Sequence, residues 1–169
     1  YCIAKGDNNI VNQYYAGAMN DLSYDLYKDW IEGEIAKAGR STLYAYQIFT
    51  RILESLTSQV NWESIAKNTS IKSHTTVAEY VDLFDSLFIT KVVPMMGSDM
   101  KVSYAKNKKI YFYDHFLFSV LEKNILKILN YQEYFNHKIK NDEQFLSRIV
   151  ENIVFSNLLK YVITKGYGI

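Results

Sequence analysis

Lys101, Tyr104, Lys106, Lys108, Lys109, Tyr111 and Tyr113 crowd one short stretch, the pattern of a positive hairpin with interleaved aromatic rings. Ammonium groups so spaced can neutralise phosphates, giving salt-dependent affinity for nucleic acid without reading its sequence. The ordinary alternative is a solvated hairpin whose edge lysines block aggregation. Upstream, Lys72, Ser73, His74 and Thr76 open a helix, where a hydroxyl caps the backbone and His74 can meet a phosphate. Catalytic signatures are scarce. There is no G-x-x-x-x-G-K-[ST] phosphate loop and no G-x-S-x-G elbow. His74, His115 and His137 lack the spacing of a zinc helix, so a metal site would need the fold to gather them with carboxylates. The single cysteine, Cys2, allows neither an internal disulfide nor a cysteine metal cluster, which fits a reducing compartment.

Bulk properties narrow the field further. The chain has 169 residues and a net charge of +1, so affinity for nucleic acid must come from local patterning. Its 49% hydrophobic and 22% charged residues are ordinary for a globular domain. No apolar run approaches the roughly 18 residues of a membrane span, and no signal peptide opens the chain, so a cytoplasmic protein is expected. The chain starts at Tyr1 and ends with Gly166-Tyr167-Gly168-Ile169 straight after a long helix, which reads as a piece of something longer. The wealth of Tyr, Ile, Lys and Asn reads as genomic bias.

The elements that position these groups follow from periodicity. Between Met19 and Ala38, Leu22, Leu26, Trp30, Ile31 and Ile35 recur at helical spacing, interrupted by Gly33 and ended by Gly39. Ser41 or Thr42 then caps a helix to about Ser58, with Leu43, Tyr46, Phe49, Ile52, Leu53 and Leu56 inward. Trp62 to Phe88 reads as a helix-turn-helix: a short helix with Ile65-Ala66, a polar turn from Asn68 to Ser73, and a second helix with Val77, Tyr80, Val81, Phe84 and Leu87 on one face. A strand from Phe88 to Met96, a turn at Gly97-Ser98-Asp99 and a strand from Lys101 to Tyr113 complete a winged helix, with Pro94 marking an edge strand. The outward face of the second helix carries Glu79 and Asp82, which phosphates repel and which accept only from cytosine amino groups. Phe116 to Leu129 reads as a helix, and Asn130 to Asp142 as a loop or short irregular helices. Glu143 to Lys165 reads as a helix carrying Phe145, Leu146, Ile149, Val150, Ile153, Val154, Leu158 and Val162. The expected fold is mainly α with a small β-hairpin, a winged helix-turn-helix flanked by additional helices.

Several segments together resemble the C-terminal region of archaeal AAA-type ATPases, a winged helix followed by a restriction-endonuclease-like domain. They are Gly33-Glu34 with Lys37-Ala38-Gly39-Arg40-Ser41, Val60 to Lys67, Ile71 to Val77 with Tyr80-Val81, Lys108-Lys109-Ile110-Tyr111-Phe112-Tyr113-Asp114-His115-Phe116, and Val150-Glu151-Asn152. The likeness spans about residues 30 to 160. It departs at Glu34, where the family has Asp, and at His115, where it has Pro, which loosens the start of the next helix. It also lacks the strands that carry the family's nuclease-like acidic and Lys residues. The resemblance implies a stalk over 1–40, a winged helix over 41–114 and the helical start of a truncated nuclease-like domain over 115–169. It implies an ATP-hydrolysing parent whose ATP and Mg are held by an upstream domain, so this region needs no cofactor or metal of its own and is not itself an enzyme. Arg40 could reach a neighbouring nucleotide as an arginine finger, although a charge at a helix C-terminus is the expectation. Glu151 is expected to cap or pair on a helix surface, because one carboxylate on a helix cannot hold a nuclease metal. The expected partners are double-stranded DNA, through the wing, and the parent's own ATPase domain. The alternative is a protein-interaction or regulatory module that binds no nucleic acid.

Overall fold

The structure is a computed structural model that describes residues 21–96 and 102–166, with side chains throughout except at 102–106. Its elements run α1 (Asp21–Lys37), α2 (Thr42–Glu54), α3 (Trp62–Ala66), α4 (His74–Ser86), β1 (Thr90–Met96), β2 (Val102–Phe112), α5 (His115–Ile125), α6 (Tyr131–Asn141) and α7 (Glu143–Thr164). The fold is mainly helical with a small two-stranded antiparallel sheet. No helix among the described residues is long and apolar enough to cross a membrane.

Helices α2, α3 and α4 start where polar side chains cap them. Ser41 Oγ accepts from the Tyr44 N–H at 3.4 Å, and Ser73 Oγ accepts from the Thr75 N–H at 3.2 Å. Asn61 and Ser64 form a reciprocal capping box over the short α3, at 2.7 and 3.1 Å. The α3–α4 turn passes through Asn68 at φ 65, a left-handed conformation that asparagine tolerates. The expected inward face of α4 holds: Val77, Tyr80, Val81 and Phe84 are buried, and Leu87 packs at its edge. Phe84 stacks on Phe49 of α2 with centroids 4.0 Å apart. Tyr80 ties α4 to the start of α2, its hydroxyl accepting from Ser41 N–H at 2.7 Å and donating to Ser41 C=O at 3.1 Å.

Helix α2 is shorter than expected. Ser55 Oγ donates back to Arg51 C=O at 2.6 Å, and Thr57 then turns left-handed at φ 60, so the helix ends at Glu54 rather than Ser58. Ala45 and Ile48 share the buried face with Phe49 and Ile52, whereas Leu43, expected inward, is exposed. Helix α1 passes through Gly33 without a break and ends before Gly39, whose φ of +68 suits glycine. Its buried face is Tyr24, Ile31 and Ile35, while Leu22, Leu26 and Trp30 face solvent.

The hairpin pairs Thr90 with Phe112 through to Pro94 with Lys108, then slips so that Met95 faces Ser103. Pro94 costs the ladder nothing. The Lys108 N–H and C=O turn the other way, to Val60 C=O and N–H, both at 2.8 Å. Val60 thus acts as a one-residue third strand between α2 and α3. The turn at Gly97-Ser98-Asp99 lies outside the described residues.

Helix α5 is the hub, buried continuously from Phe116 to Glu122 and packed against α1, α2, β2 and α7. Asp114 Oδ1 accepts from the Phe116 N–H at 2.8 Å, so His115 in place of proline leaves the start of this helix well capped rather than loosened. The helix stops at Ile125, short of the expected Leu129, and Lys127 turns left-handed at φ 53. Residues 130–142, expected to be irregular, instead form the regular α6. Asn130 caps it by accepting from the Glu133 N–H at 3.2 Å, and Tyr131, Tyr134, Phe135 and Ile139 lie along one side against the core. One buried cluster runs from Tyr24 to Ile149.

In α7 the buried set is Phe145, Ile149, Asn152, Ser156 and Leu159. Of the apolar residues that the sequence places on this helix, Phe145 and Ile149 belong to the buried set, whereas Leu146, Val150, Ile153, Val154 and Leu158 face solvent. Asn152, wholly buried, accepts from the Phe112 N–H at 2.8 Å and reaches the Phe112 C=O at 3.5 Å, pinning α7 to the end of β2.

Candidate functional site

The candidate phosphate-binding residues separate into two groups. Lys72, Ser73 and His74 are exposed at the start of α4, and Thr76 is half-buried one turn on. Lys67 and Asn68 of the preceding turn are exposed beside them in sequence, so the α3–α4 corner is polar and mildly basic. The hairpin lysines are placed quite differently. Lys101 lies outside the described residues, as does the side chain of Lys106. Lys108 is 3% exposed, its ammonium 3.9 Å over the Trp62 ring, and burial lowers its pKa. Lys109 pairs with Glu151 of α7 at 2.7 Å. Of the basic hairpin, then, these two ammonium groups are engaged in holding the hairpin to the helices.

Glu151 accepts from both Lys109 and the Tyr111 hydroxyl at 2.7 Å. Burial alone would raise its pKa, but these hydrogen bonds pull it below the ordinary carboxylate value. Tyr111 also lies flat on Phe155, with centroids 4.0 Å apart. Glu151 therefore pairs on a helix surface, as its position suggested. No group of three or more His, Cys, Asp or Glu side chains among the described residues is placed to hold a metal ion.

Arg40 also has a structural partner. It pairs with Glu79 on the outward face of α4 at 2.9 Å, and its guanidinium lies 5.6 Å from the Tyr80 ring centroid. The periodicity of α4 could not supply this pairing, because the cation arrives from a different element. Exposed Glu79 is thereby compensated, which leaves Asp82 as the exposed carboxylate in the middle of that face.

His115 sits between the rings of Phe118 and Phe135, at centroid distances of 5.4 and 5.3 Å. Burial pushes its pKa down to about 4 from the usual 6.5, against a smaller upward pull from Asp114. The folded chain thus binds this proton more weakly than the unfolded chain. The contribution is complete above about pH 6.5 and is lost as pH falls towards 4, about 3 kcal/mol in all. Denaturant titrations at pH 7 and 4.5 should show most of that loss, about 2 kcal/mol, in the parent chain and a clearly smaller one in His115→Phe. Equal losses would remove His115 as the cause. His74 and His137 are exposed on α4 and α6.

A further surface feature lies on α7. Leu146, Val150, Ile153, Val154, Leu158 and Tyr161 are between 37% and 60% exposed and run as one stripe along the solvent side of α7. Their spacing of four, three or one residues keeps them on one side of the helix. Contiguous apolar patches of this kind on soluble domains mark contact surfaces.

A family model described as Domain of unknown function (DUF8612) matches residues 9–130, which spans α1 to α5. The chain belongs to that family. The DUF8612 match contains the α3–α4 corner, the hairpin and the hub helix, and it stops before α6 and α7. No curated protein matches the chain, and no solved structure does.

Proposed function

We propose that this chain works by binding protein, as a non-catalytic winged-helix region of an AAA-type ATPase. ATP and Mg are bound elsewhere in such a parent. The apolar stripe on the outer side of α7 carries this reading, since a helix that already buries one face gains nothing in solubility from a second one. The engagement of Lys108 and Lys109 supports it further, because it withdraws two ammonium groups from any phosphate.

Two measurements test the reading. A photo-reactive residue at Leu158, introduced into the chain in its host cells, should form an adduct with a protein, whereas the same residue at exposed Asn136 should not. No protein adduct from Leu158 overturns the reading. The second reading, duplex DNA binding, rests on the exposed Lys67, Lys72 and His74 corner. Anisotropy of a labelled duplex is expected to give a dissociation constant weaker than about 100 µM, the weak end of non-specific binding. Micromolar affinity that falls with salt and is lost in Lys72→Glu would instead assign the corner to DNA.

A further inference from the structure

We propose that the occupant of the α7 face is a second copy of this chain, docked antiparallel about a two-fold axis through Val154. The proposal rests on the docking reading above and names the partner for it. The stripe from Leu146 to Tyr161 is centred beside Val154, so a two-fold there matches apolar to apolar along its length. Val150 of each copy faces Leu158 of the other, Leu146 faces Val162, and Val154 faces itself.

Charge completes the match. Glu143 and Lys165 lie eleven residues to either side of Val154, and both are exposed. Neither forms an ion pair among the described residues. Antiparallel docking brings Glu143 of one copy to Lys165 of the other at both ends, with the helix dipoles opposed. Parallel docking would set Glu143 against Glu143 and Lys165 against Lys165. The two cations at the opposing positions Arg148 and Lys160 do not disturb the match. Arg148 donates to Glu54 C=O at 3.1 Å and Lys160 pairs with Asp114 at 3.4 Å, so both are turned onto the body of their own copy. A single helix of 22 residues, about 33 Å long, buries less than a standard interface, so the dimer belongs to the weak class.

Sedimentation equilibrium of the purified chain from about 1 to 500 µM tests this. The parent chain should pass from monomer to dimer within that range, and Val154→Glu, which sets two carboxylates face to face, should remain monomeric throughout. Glu143→Lys and Lys165→Glu should each weaken association about tenfold, since each breaks two symmetry-related pairs. The double charge swap should restore it, with unchanged melting curves showing that all variants are folded. A parent chain that stays monomeric, or a dimer indifferent to Val154→Glu, overturns the proposal. Single swaps that weaken and a double swap that fails to restore overturn the antiparallel register. A Leu158 adduct with a different protein removes the second copy as occupant and leaves the docking reading standing. No adduct at all removes both.

Discussion

Phe84→Ala is expected to lower the stability of the chain by about 3–5 kcal/mol, the range for emptying a buried aromatic site. Phe84 is wholly buried, stacks on Phe49 at 4.0 Å and meets Tyr80 edge-on at 6.2 Å. It is the residue through which α4 holds α2, and Ile89 N–H bonds to its carbonyl at 2.9 Å where the chain turns into the hairpin. The side chain cannot be replaced by inward movement of neighbours, because both flanking rings are fixed, Tyr80 by its two bonds to Ser41. Since domains of this size are stable by about 5–15 kcal/mol, the variant should sit near its unfolding midpoint at modest denaturant. Guanidinium titration measures this directly. Leu43→Ala, at a residue 62% exposed on the neighbouring helix, should change stability by less than about 0.5 kcal/mol. Comparable losses in the two variants would show that the packing described around Phe84 is wrong.

The second large effect is expected at a charge. Glu122, 3% exposed in the hub helix, accepts from the Tyr131 hydroxyl at 2.6 Å and pairs with Lys138 at 3.0 Å. Tyr134 and Lys138 also meet at 2.9 Å, and the Lys138 ammonium lies 4.0 Å from the Phe145 ring centroid. Burial alone would lower the Lys138 pKa, but its bonds to Tyr134 and Glu122 raise it overall. Glu122→Ala removes the centre of this network and strands a half-buried ammonium and a buried phenol. The expected loss is about 3–5 kcal/mol, typical when one partner of a buried pair is deleted. Glu122→Ala with Lys138→Ala should lose less than the two single variants added together, since the double variant leaves no ammonium without its carboxylate. Strict additivity would mean that the two side chains do not interact.

The elements whose inward side is purely apolar were legible in the sequence. Helix α4 is the clearest case, with Ser73 as cap and Val77, Tyr80, Val81 and Phe84 inside. Helices whose inner side contains polar atoms were legible only in part, with Ile31 and Ile35 of α1 and Phe145 and Ile149 of α7 found and their polar neighbours missed. In α7 the true inner line includes Asn152 and Ser156, whose polar atoms are satisfied by the Phe112 backbone and the Ile153 C=O. A reading by hydropathy therefore mixed the apolar outer line with Phe145 and Ile149 of the inner one. Tyr24 in α1 misled in the same way, because a buried tyrosine scores below the exposed Leu22 and Leu26. Helix α6 hid its period for a related reason: its inner line is aromatic and its hydroxyls face the Glu122 carboxylate. The engagement of Lys108 and Lys109 was hidden at a different level. Strand alternation says which side of β2 Lys108 occupies, but only the third-strand contact with Val60 shows that the Trp62 ring waits on that side.

That contact with Val60 sets how the molecule comes apart. Two backbone bonds join the segment between α2 and α3 to the middle of β2, so the hairpin cannot peel away while the helices stay closed. The amides of Val60 and Lys108 should exchange with solvent only when the whole body opens, at the pace of the slowest core amides rather than of a surface ribbon. The slip after Pro94 draws the line within the hairpin itself, with the base belonging to the cooperative unit and the ladder bonds beyond it free to breathe on their own.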